Sequence, residues 1–474
     1  MSLAVSELAK RFQLESIHGD AAVTGVQLAS NLCEPGDLFI AIGGARQHGI
    51  QYLEDAIHRG AVAVLTDPEH IPATSIPVLT HADPKSVAGA IAAMLYGTQG
   101  QNFRIFGVTG TNGKTSTATY IQQILEAVGQ KCGLSASTNR IVGDQVFSSS
   151  LTTPEVTEVH RMLQQMRSAG QKFAALEVSA QALVRHRVDE VKFDVVGFTN
   201  LSRDHLDDFG DMGSYLEVKA RLFTPEYAVR GVVLVEDEYA AKLVEKAQIP
   251  VATISKSGDY WYDYENGSLT LSGKRSGVFE FAGGALMAKN LVLAIVILLE
   301  AGFPIEKLKA AVQTASLSVP GRLERVSQGL PAVFIDYAHT PAGVAAAVGE
   351  IKARYPHLSV VLGASGNRDQ GKREAMAEAG AGGDLLVITD QHPRDEDPAL
   401  IRKTLIESAS KLLPLEQLVE IADPALAIAH AISATPKDGA VLWCGPGHLT
   451  YREVAGTKLP FDARKVAAEL VSND

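Results

Sequence analysis

The stretch RIFGVTGTNGKTS, residues 104–116, constrains the fold of this chain more than any other. Its apolar first half predicts a buried strand, and apolar residues at helical spacing follow the glycines. Gly110 and Gly113 allow backbone N–H groups to point at an anion, which the N-terminus of the following helix also attracts. The order strand, glycine-rich turn, helix therefore predicts a nucleotide-phosphate site.

Two side chains of this turn have the chemistry that phosphate binding requires. Lys114 can reach the β- and γ-phosphates, and the Thr115 hydroxyl can hold Mg²⁺. Val108 stands where the strict phosphate-loop motif has its first glycine, so the spacing departs from that motif. The predicted nucleotide-binding residues of the turn are Gly110, Thr111, Asn112, Gly113, Lys114, Thr115 and Ser116.

Length and element order predict three α/β domains. A chain of 474 residues corresponds to roughly three domains of about 150 residues. Strand and helix patterns alternate along most of it, which is typical of parallel sheets with helical crossovers. Pro320-Gly321 marks the last boundary, and residues 259–278 read as an antiparallel hairpin around Asn266-Gly267. We predict domains at 1–98, 99–317 and 318–474, the last one doubly wound.

Composition excludes several classes of function. The net charge of −11 and the pI near 5.7 argue against nucleic-acid binding. Three widely spaced cysteines are no disulfide framework and favour a reducing cytoplasm. The longest apolar run, Leu291 to Leu299, is far shorter than a bilayer span. We expect a cytoplasmic monomer that acts on small molecules, without a membrane partner.

Three further features carry candidate chemistry. Glu177 ends a buried apolar run, where a carboxylate points into the ligand crevice of an α/β sheet; it reads as a second metal ligand or as an ordinary loop acid. Residues 198–223 place Asn200, Asp204 and His205 just after another strand, as a site or as a solvated loop. Lys219, on the next helix, reads from its pattern alone as an exposed lysine.

Motifs across all three domains resemble the Mur ligases of peptidoglycan synthesis. GVTGTNGKTS, LTTPE, LEVSAQAL, FTNLSRDHLDDFG, PGRLE, DYAHTP, SGNRDQGKR and CGPGH occur in that family's order and spacing. The chain is most similar to the group that adds the third residue to the UDP-N-acetylmuramoyl dipeptide. The resemblance implies an N-terminal UDP-sugar-binding domain, a central ATP-binding domain with a P-loop-type parallel sheet, and a Rossmann-like C-terminal domain that binds the amino acid.

The resemblance implies a mechanism in which the substrate carboxylate attacks the γ-phosphate of ATP and the incoming amine then displaces phosphate from the acyl phosphate. Because a negatively charged carboxylate must approach a negatively charged phosphate, neutralisation by positively charged groups makes the main contribution to such catalysis. Lys114 is expected to bind phosphate, Thr115 and Glu177 to hold Mg²⁺, and His205 to lie near the metal. Lys219 matches a carbamylated lysine that ligates a second Mg²⁺. Further expected ATP contacts are Asn290, Arg322 and, at the ribose, Asp336.

The same resemblance implies contacts to the UDP-muramoyl peptide. The positions that match are Leu28, Ser30, the loop Ala45–Gln47, Thr152, Thr153, Ser179 and Arg187. Neighbouring positions depart from the residues that are frequent in the family: they are Asn31, Leu151, Gln181 and Arg185. These departures bear on individual contacts and leave the expected fold unchanged.

The amino-acid pocket departs from the diaminopimelate-adding pattern. Arg368 is expected to grip the α-carboxylate, and Arg394 and Gly445 match further contacts. However, Gln391 and Leu449 replace acidic residues, and an unpaired buried ammonium costs several kcal/mol. We therefore predict a third residue other than diaminopimelate, neutral like homoserine, alanine or serine. Lysine or ornithine would need another acid, for which the candidates are Asp390, Asp395 and Glu396.

Other functions are compatible with parts of this pattern. A folylpolyglutamate synthase shares the superfamily, but the N-terminal domain and LTTPE indicate a muramoyl substrate. A noncatalytic nucleotide-binding paralogue is a second alternative, against which the joint retention of Lys114, Thr115, Glu177, His205 and Lys219 argues. A P-loop kinase or motor ATPase is a third, but no separate Walker-B run follows.

Overall fold

The computed structural model describes residues 2–44, 47–99, 103–149, 151–204, 206–367 and 369–472. Three α/β units follow one another along the chain, each built on its own sheet, so the predicted α/β class is confirmed. Within the described ranges, no helix combines the length and the apolar character needed to cross a bilayer.

The first unit is a five-stranded sheet with strand order β2-β7-β6-β5-β4, in which only the edge strand β2 is antiparallel. The strands of this sheet are β2 (Glu15–His18), β4 (Gly25–Gln27), β5 (Asp37–Ile40), β6 (Ala63–Thr66) and β7 (Val78–Thr80), and β1 (Leu3–Ala4) and β3 (Ala22–Val23) form a separate antiparallel pair. The helices are α1 (Val5–Phe12), α2 (Leu53–His58) and α3 (Pro84–Tyr96). Apolar residues pack on both faces, which is why strands β5 to β7 are buried throughout.

The second unit has an eleven-stranded sheet with order β11-β10-β9-β12-β8-β13-β14-β15-β16-β17-β18. Its strands are β8 (Arg104–Thr109), β9 (Cys132–Ser135), β10 (Asn139–Val142), β11 (Gln145–Ser148), β12 (Phe173–Glu177), β13 (Phe193–Phe198), β14 (Ala228–Leu234), β15 (Val251–Ile254), β16 (Tyr260–Glu265), β17 (Ser268–Gly273) and β18 (Gly277–Glu280). Its helices are α4 (Lys114–Ala127), α5 (Val156–Ser168), α6 (Ala180–Val184), α7 (Leu206–Phe209), α8 (Met212–Ala220), α9 (Glu238–Lys246), α10 (Ala285–Glu300) and α11 (Ile305–Thr314).

The middle of this sheet, from β9 to β15, is parallel, and both edges are antiparallel hairpins. The predicted hairpin is confirmed as β16–β17, which turns at Asn266-Gly267. The hairpin β10–β11 turns at Gly143-Asp144, a two-residue turn signal that the sequence reasoning missed. Strand β8 lies between β12 and β13, so the phosphate turn opens at the point where the strand order reverses, the usual ligand crevice of open α/β sheets.

The third unit has a six-stranded sheet with order β19-β20-β24-β21-β22-β23, parallel except for edge strand β19. The strands are β19 (Glu324–Arg325), β20 (Ala332–Asp336), β21 (Leu358–Leu362), β22 (Leu385–Ile388), β23 (Leu418–Glu420), β24 (Ala440–Cys444) and the separate hairpin β25 (Tyr451–Val454) and β26 (Thr457–Pro460). The helices are α12 (Pro341–Lys352), α13 (Arg373–Gly380), α14 (Pro398–Ala409), α15 (Pro424–Ala434) and α16 (Ala463–Ser472). Apolar clusters cover both faces of the sheet, as expected for a doubly wound domain.

Several helices begin with the same local sequence signal. Helices α3, α12, α14 and α15 each start with a proline that follows Asp83, Thr340, Asp397 or Asp423, and that side chain accepts a first-turn N–H. Proline has no N–H to lose at this position, and such a cap contributes about 1 kcal/mol. These starts were therefore readable from the sequence.

The first and second units are joined through Arg161 of helix α5. Its guanidinium donates two hydrogen bonds to the Asp37 carboxylate, at 2.8 and 2.6 Å, and one to the Tyr96 hydroxyl at 2.9 Å. Burial raises the pKa of Asp37, and the arginine opposes that shift. Because the ion pair is shielded from water, breaking one partner would be costly. The contact fixes how the first unit faces the central sheet.

Candidate active site

The phosphate turn is shaped by its glycines and by Asn200. Gly110 and Gly113 have φ of +143° and +86°, conformations that side chains rarely adopt. The Thr111 N–H donates to the Asn200 carbonyl at 2.9 Å, and the Asn112 N–H donates to the Asn200 side chain at 3.0 Å. Asn200 follows strand β13, so the neighbouring strand of the sheet holds the turn in place.

Thr115 and Glu177 meet at the carboxyl edge of the sheet, because β8 and β12 are adjacent and parallel. The Thr115 hydroxyl donates to Glu177 Oε2 at 2.9 Å, and the Ser137 N–H donates to the same oxygen at 2.9 Å. Lys114 Nζ lies 3.9 Å from Glu177 Oε1 and donates to the Thr111 carbonyl at 2.8 Å. Hydroxyl and carboxylate oxygens are the donor set that Mg²⁺ prefers, so these residues fit that ion.

Lys219 is buried beneath the phosphate turn, with a relative exposure of 1%. Its Nζ donates to the Gly110 carbonyl at 2.7 Å and lies 4.4 Å from the centre of the Tyr215 ring. Burial, reinforced by the charge of Lys114, holds the pKa of Lys219 well below its ordinary value. The reading of Lys219 as an exposed helical lysine is therefore wrong.

Arg322 of the third unit reaches across to the turn. Its guanidinium donates to Thr115 Oγ1 at 3.1 Å and lies 4.5 Å from the Tyr337 ring centre. Asp336, at the end of β20, accepts the N–H groups of Leu323 and Ala338 at 2.6 and 2.7 Å. Desolvation raises the pKa of this carboxyl. In this arrangement Asp336 holds the loop that carries Arg322.

Two ion pairs and a histidine–carboxylate contact that the sequence reasoning did not assign join the second and third units. Lys372 Nζ lies 3.3 Å from Asp204 Oδ1, and His339 Nε2 lies 3.7 Å from Asp204 Oδ2. Arg203 forms a further pair with Asp369 at 3.4 Å. Lys372 is distant in sequence from every member of the phosphate turn, so no local pattern places it there. The pairs close the third unit over the turn.

Hydrogen bonds connect several of the expected muramoyl-peptide residues around the end of strand β12. Thr153 Oγ1 donates to the Glu177 carbonyl at 2.8 Å and accepts the Ser179 N–H at 3.1 Å. The Arg187 guanidinium bonds to Glu155 at 2.5 Å and to the Thr153 carbonyl at 3.3 Å. Thr152 accepts the Ser137 hydroxyl at 3.1 Å. Thr152, Ser179 and Arg187 share one cavity of about 500 Å³ with Lys114, Thr115, Glu177, Lys219 and Arg322.

Other predicted site residues lie outside the lining of this cavity. Leu28 and Ser30 are on the first unit, after β4. Asn290 of α10 packs its side chain against Gly113, Ser116 is buried in the first turn of α4, and Gly445 follows β24. The predictions for His205, Arg368 and most of the loop 45–47 fall outside the described residues.

The third unit contributes to the lining of the same cavity with residues on β25, its preceding loop and the loop after β22. They are Gln391, His392, Arg394, His448, Leu449, Tyr451 and Glu453. The candidate substitute acids are engaged or exposed: Asp390 pairs with Arg402, Glu396 pairs with Arg373 at 2.9 Å, and Asp395 is exposed.

Arg394 has a partner within the chain that the sequence reasoning missed. Its Nε lies 3.2 Å from Glu453 Oε2, and its N–H donates to the Glu453 carbonyl at 3.1 Å. The Arg394 carbonyl accepts the Ala455 N–H at 2.7 Å, and its φ is +55°. Arg394 is thus fastened to hairpin β25–β26, with its charge balanced by Glu453. Arg394 and Glu453 are far apart in the sequence, so only the folded structure shows their contact.

Three family models match the chain, one on each unit. They are described as "Mur ligase family, catalytic domain" over residues 22–95, "Mur ligase middle domain" over 108–295 and "Mur ligase, glutamate ligase domain" over 321–447.

Curated relatives match over nearly the full length. A UDP-N-acetylmuramyl-tripeptide synthetase of Leifsonia xyli subsp. xyli is 42% identical, over 97% of this chain and 94% of the relative. A UDP-N-acetylmuramoyl-L-alanyl-D-glutamate–2,6-diaminopimelate ligase of Streptomyces coelicolor is 37% identical, over 98% of this chain and 96% of the relative.

Solved structures share the architecture. A UDP-N-acetylmuramoyl-L-alanyl-D-glutamate–2,6-diaminopimelate ligase superposes with a TM-score of 0.67 at 25% identity, over 100% of this chain and 99% of the other. A folylpolyglutamate synthase of Mycobacterium tuberculosis, complexed with ADP and AMPPCP, superposes with a TM-score of 0.59 at 20% identity, over 75% of this chain and 91% of the other. The second likeness extends to the fold alone.

Proposed function

The chain belongs to the Mur ligase family, and on that basis we propose that it adds the third amino acid to UDP-N-acetylmuramoyl-L-alanyl-D-glutamate. Members of this family are ATP-dependent ligases, and this chain is one of them. The observation that carries the proposal is a single cavity in which the phosphate turn, the Thr115–Glu177 pair and residues of the third unit converge.

In the proposed reaction, a carboxylate oxygen of the substrate attacks the γ-phosphorus of ATP and ADP leaves, which gives an acyl phosphate. The amine of the amino acid then attacks the acyl carbon, phosphate leaves, and the nitrogen loses a proton. Lys114 and Arg322 would balance the negative charge of the phosphates, which is the main requirement when two anions approach. Thr115 and Glu177 would hold Mg²⁺, and its positive charge would add to the charges of Lys114 and Arg322. Arg187 lies where it can bind a carboxylate of the muramoyl peptide.

For Lys219 we propose carbamylation, with its carbamate as a ligand of a second Mg²⁺. Burial and the charge of Lys114 disfavour the ammonium and lower the pKa of Lys219, although the Gly110 carbonyl and the Tyr215 ring lie beside it, and the neutral amine can attack carbon dioxide. The reaction forms one N–C bond and releases a proton. It places an anion close to Glu177, where a metal ion would balance both.

We propose further that the third residue is not diaminopimelate and has a neutral side chain. A distal carboxylate would have to compete with Glu453, which already lies 3.2 Å from Arg394 Nε. A distal ammonium would need a free acid, but Asp390 and Glu396 are paired with arginines. Burying a charge without a counter-charge costs several kcal/mol. A neutral side chain avoids both penalties.

The experiment that tests the proposed function is an assay of ADP release with the UDP-N-acetylmuramoyl dipeptide, ATP and Mg²⁺. The amino acids offered are diaminopimelate, lysine, ornithine, diaminobutyrate, homoserine, serine and alanine. ADP release with a neutral amino acid and formation of the UDP-tripeptide are expected. If none of these amino acids supports ADP release, ligation at this step is refuted. If diaminopimelate is turned over as fast as the neutral amino acids, the neutral third residue is refuted.

A substitution at Glu453 tests the role of the Arg394 pair. The change Glu453→Ala should release the Arg394 guanidinium and raise kcat/KM for diaminopimelate, relative to a neutral amino acid, by about ten- to a hundredfold. The control is Glu420→Ala, since Glu420 also pairs with an arginine of the third unit but lies outside the cavity. An unchanged ratio in Glu453→Ala, with an unchanged melting temperature, would contradict the role.

A further inference from the structure

Glu350, in the last turn of helix α12, caps a helix that belongs to another unit. Its Oε2 accepts the N–H of Leu286 at 2.9 Å, in the first turn of α10 in the second unit. Only 8% of the Glu350 side chain is exposed, and Arg354 Nη1 lies 3.8 Å from its Oε1. A carboxylate is unfavourable at the C-terminal end of its own helix but favourable at the N-terminus of another. The charge of Glu350 is therefore placed to stabilise α10 and not α12.

Gly284, the residue before α10, leaves the room that this carboxylate occupies. Its φ is +90°, and a Cβ atom there would lie 2.0 Å from Glu350 Oε1. The Gly284 N–H donates to the Tyr264 hydroxyl at 3.2 Å, which holds the start of α10 on strand β16 of the central sheet. Any side chain at position 284 would displace Glu350, so the second and third units fit closely at this point.

Both helices of this contact also reach the phosphate turn. Asn290, about one turn after Leu286 on α10, packs its side chain against Gly113. Thr340, at the start of α12, accepts Asn112 Nδ2 at 3.4 Å. Glu350 follows Thr340 by ten residues, which is about 15 Å along a helix. Helix α12 is thus attached to the second unit at two separated points, which fix its direction as well as its position.

The contact between Glu350 and α10 lies apart from the cavity that the substrates would occupy. Neither Glu350 nor Leu286 is among the described residues that line it. By contrast, Arg322 and Lys372, the third-unit cations that contact the second unit at Thr115 and Asp204, both line the cavity. Ligands can rearrange the contacts inside the cavity, whereas the Glu350 contact can persist while substrates bind and leave.

We infer that Glu350 is a positioning residue for the ligation: by capping α10 it holds the third unit in a closed arrangement, in contact with the phosphate turn. The inference rests on the proposed function, in which the third unit brings the amino acid to the nucleotide. Glu350 acts through the position of the unit that carries Arg322 and Lys372, and it touches no substrate. Without it, a smaller fraction of molecules is closed, and the apparent affinity for a ligand that needs the closed arrangement falls by that fraction.

The test is Glu350→Ala in the full-length protein, examined by X-ray scattering and by kinetics. Without ligands, small-angle X-ray scattering should give a larger radius of gyration than for the unmodified chain, because the third unit moves away from the second. In the ADP-release assay, kcat/KM for the amino acid should fall about five- to tenfold, the effect of losing one hydrogen bond to a charged group. The value of kcat should fall less, because saturating substrates favour the closed arrangement.

Asp237→Ala is the matched control. The Asp237 carboxylate accepts the Ala240 N–H at 2.8 Å in the first turn of α9, but both residues belong to the second unit. Its loss removes a helix cap of the same kind and should lower the melting temperature. The radius of gyration and kcat/KM should remain those of the unmodified chain.

Glu350→Gln keeps the shape of the side chain and one acceptor oxygen, and it removes only the charge. Its radius of gyration and kcat/KM should lie between those of Glu350→Ala and the unmodified chain. If Glu350→Ala does not fold, the comparison of Glu350→Gln with the unmodified chain decides the matter in the same way.

A radius of gyration or a kcat/KM that is unchanged in Glu350→Ala would overturn the inference. A lower melting temperature as the sole effect, as expected of Asp237→Ala, would show that Glu350 is a helix cap and nothing more. If no amino acid supports ADP release by the unmodified chain, the proposed function fails, and the radius of gyration still decides whether Glu350 holds the third unit closed.

Discussion

Replacing Lys219 by methionine is expected to lower kcat by about two orders of magnitude or more, because such a loss is typical when one group that organises transition-state charge is removed. Methionine fills similar space and suits a position that is only 1% exposed. Neither a carbamate nor an ammonium can then form beneath the phosphate turn. Steady-state ADP release and the binding of an ATP analogue should be measured together, since the proposal predicts that catalysis falls more than nucleotide affinity.

Incubation with isotopically labelled bicarbonate distinguishes a carbamylated Lys219 from a lysine that has only a structural role. The unmodified chain should show a carbamate signal by NMR, which Lys219→Met loses and which removal of dissolved carbon dioxide weakens. Lys242→Met is the control, because Lys242 is a half-exposed lysine of the same unit. Full activity of Lys219→Met, or no carbamate signal in a fully active sample, would contradict the proposed modification.

Replacing Glu177 by glutamine is expected to lower kcat by a comparable factor and to raise the Mg²⁺ concentration required for half-maximal activity. The amide has the shape of the carboxylate and can still accept the Thr115 hydroxyl and the Ser137 N–H. What it lacks is the negative charge that draws a hard cation. Mg²⁺ titrations of ADP release should therefore show a weaker apparent affinity in Glu177→Gln.

Glu126→Gln is the matched control for this substitution. Glu126 also accepts a backbone N–H, that of Cys132 at 2.8 Å, but it lies at the opposite end of helix α4 from the phosphate turn. Its replacement should leave the Mg²⁺ dependence unchanged. A normal Mg²⁺ dependence in Glu177→Gln would mean that the carboxylate serves the turn alone and holds no metal.

Much of the fold was predictable because its signals are local. The buried strand β8, the glycine-rich turn and the helix α4 follow from residues next to one another in the chain. The hairpin β16–β17 follows from Asn266-Gly267, which favours the tight turn that joins two such strands. By contrast, β10 and β11 are partly or fully exposed, so they lack the buried apolar pattern that marks the other strands, and their Gly143-Asp144 turn was missed.

The candidate site likewise contains residues that a local motif predicts and residues whose position only the folded structure shows. Lys114 and Thr115 have roles that a local motif implies, and the structure brings Glu177 to them because β8 and β12 are neighbours. Lys219 has a helix pattern that reads as solvent-exposed, yet it is buried under the turn. The pattern failed because the side facing water in an isolated helix is covered by another part of the same unit.

Short sequence patterns were enough to predict an α/β protein and a phosphate-binding turn, and the motifs along the chain indicated the Mur ligase family, to which the chain belongs. Those properties depend on residues within a few positions of each other, whose conformations local sterics and hydrogen bonding decide. Only the tertiary structure paired Arg394 with Glu453 and placed Glu350 at the first turn of α10. Whether a charge is balanced or a helix end is capped from another unit depends on residues that the fold brings together from distant parts of the chain.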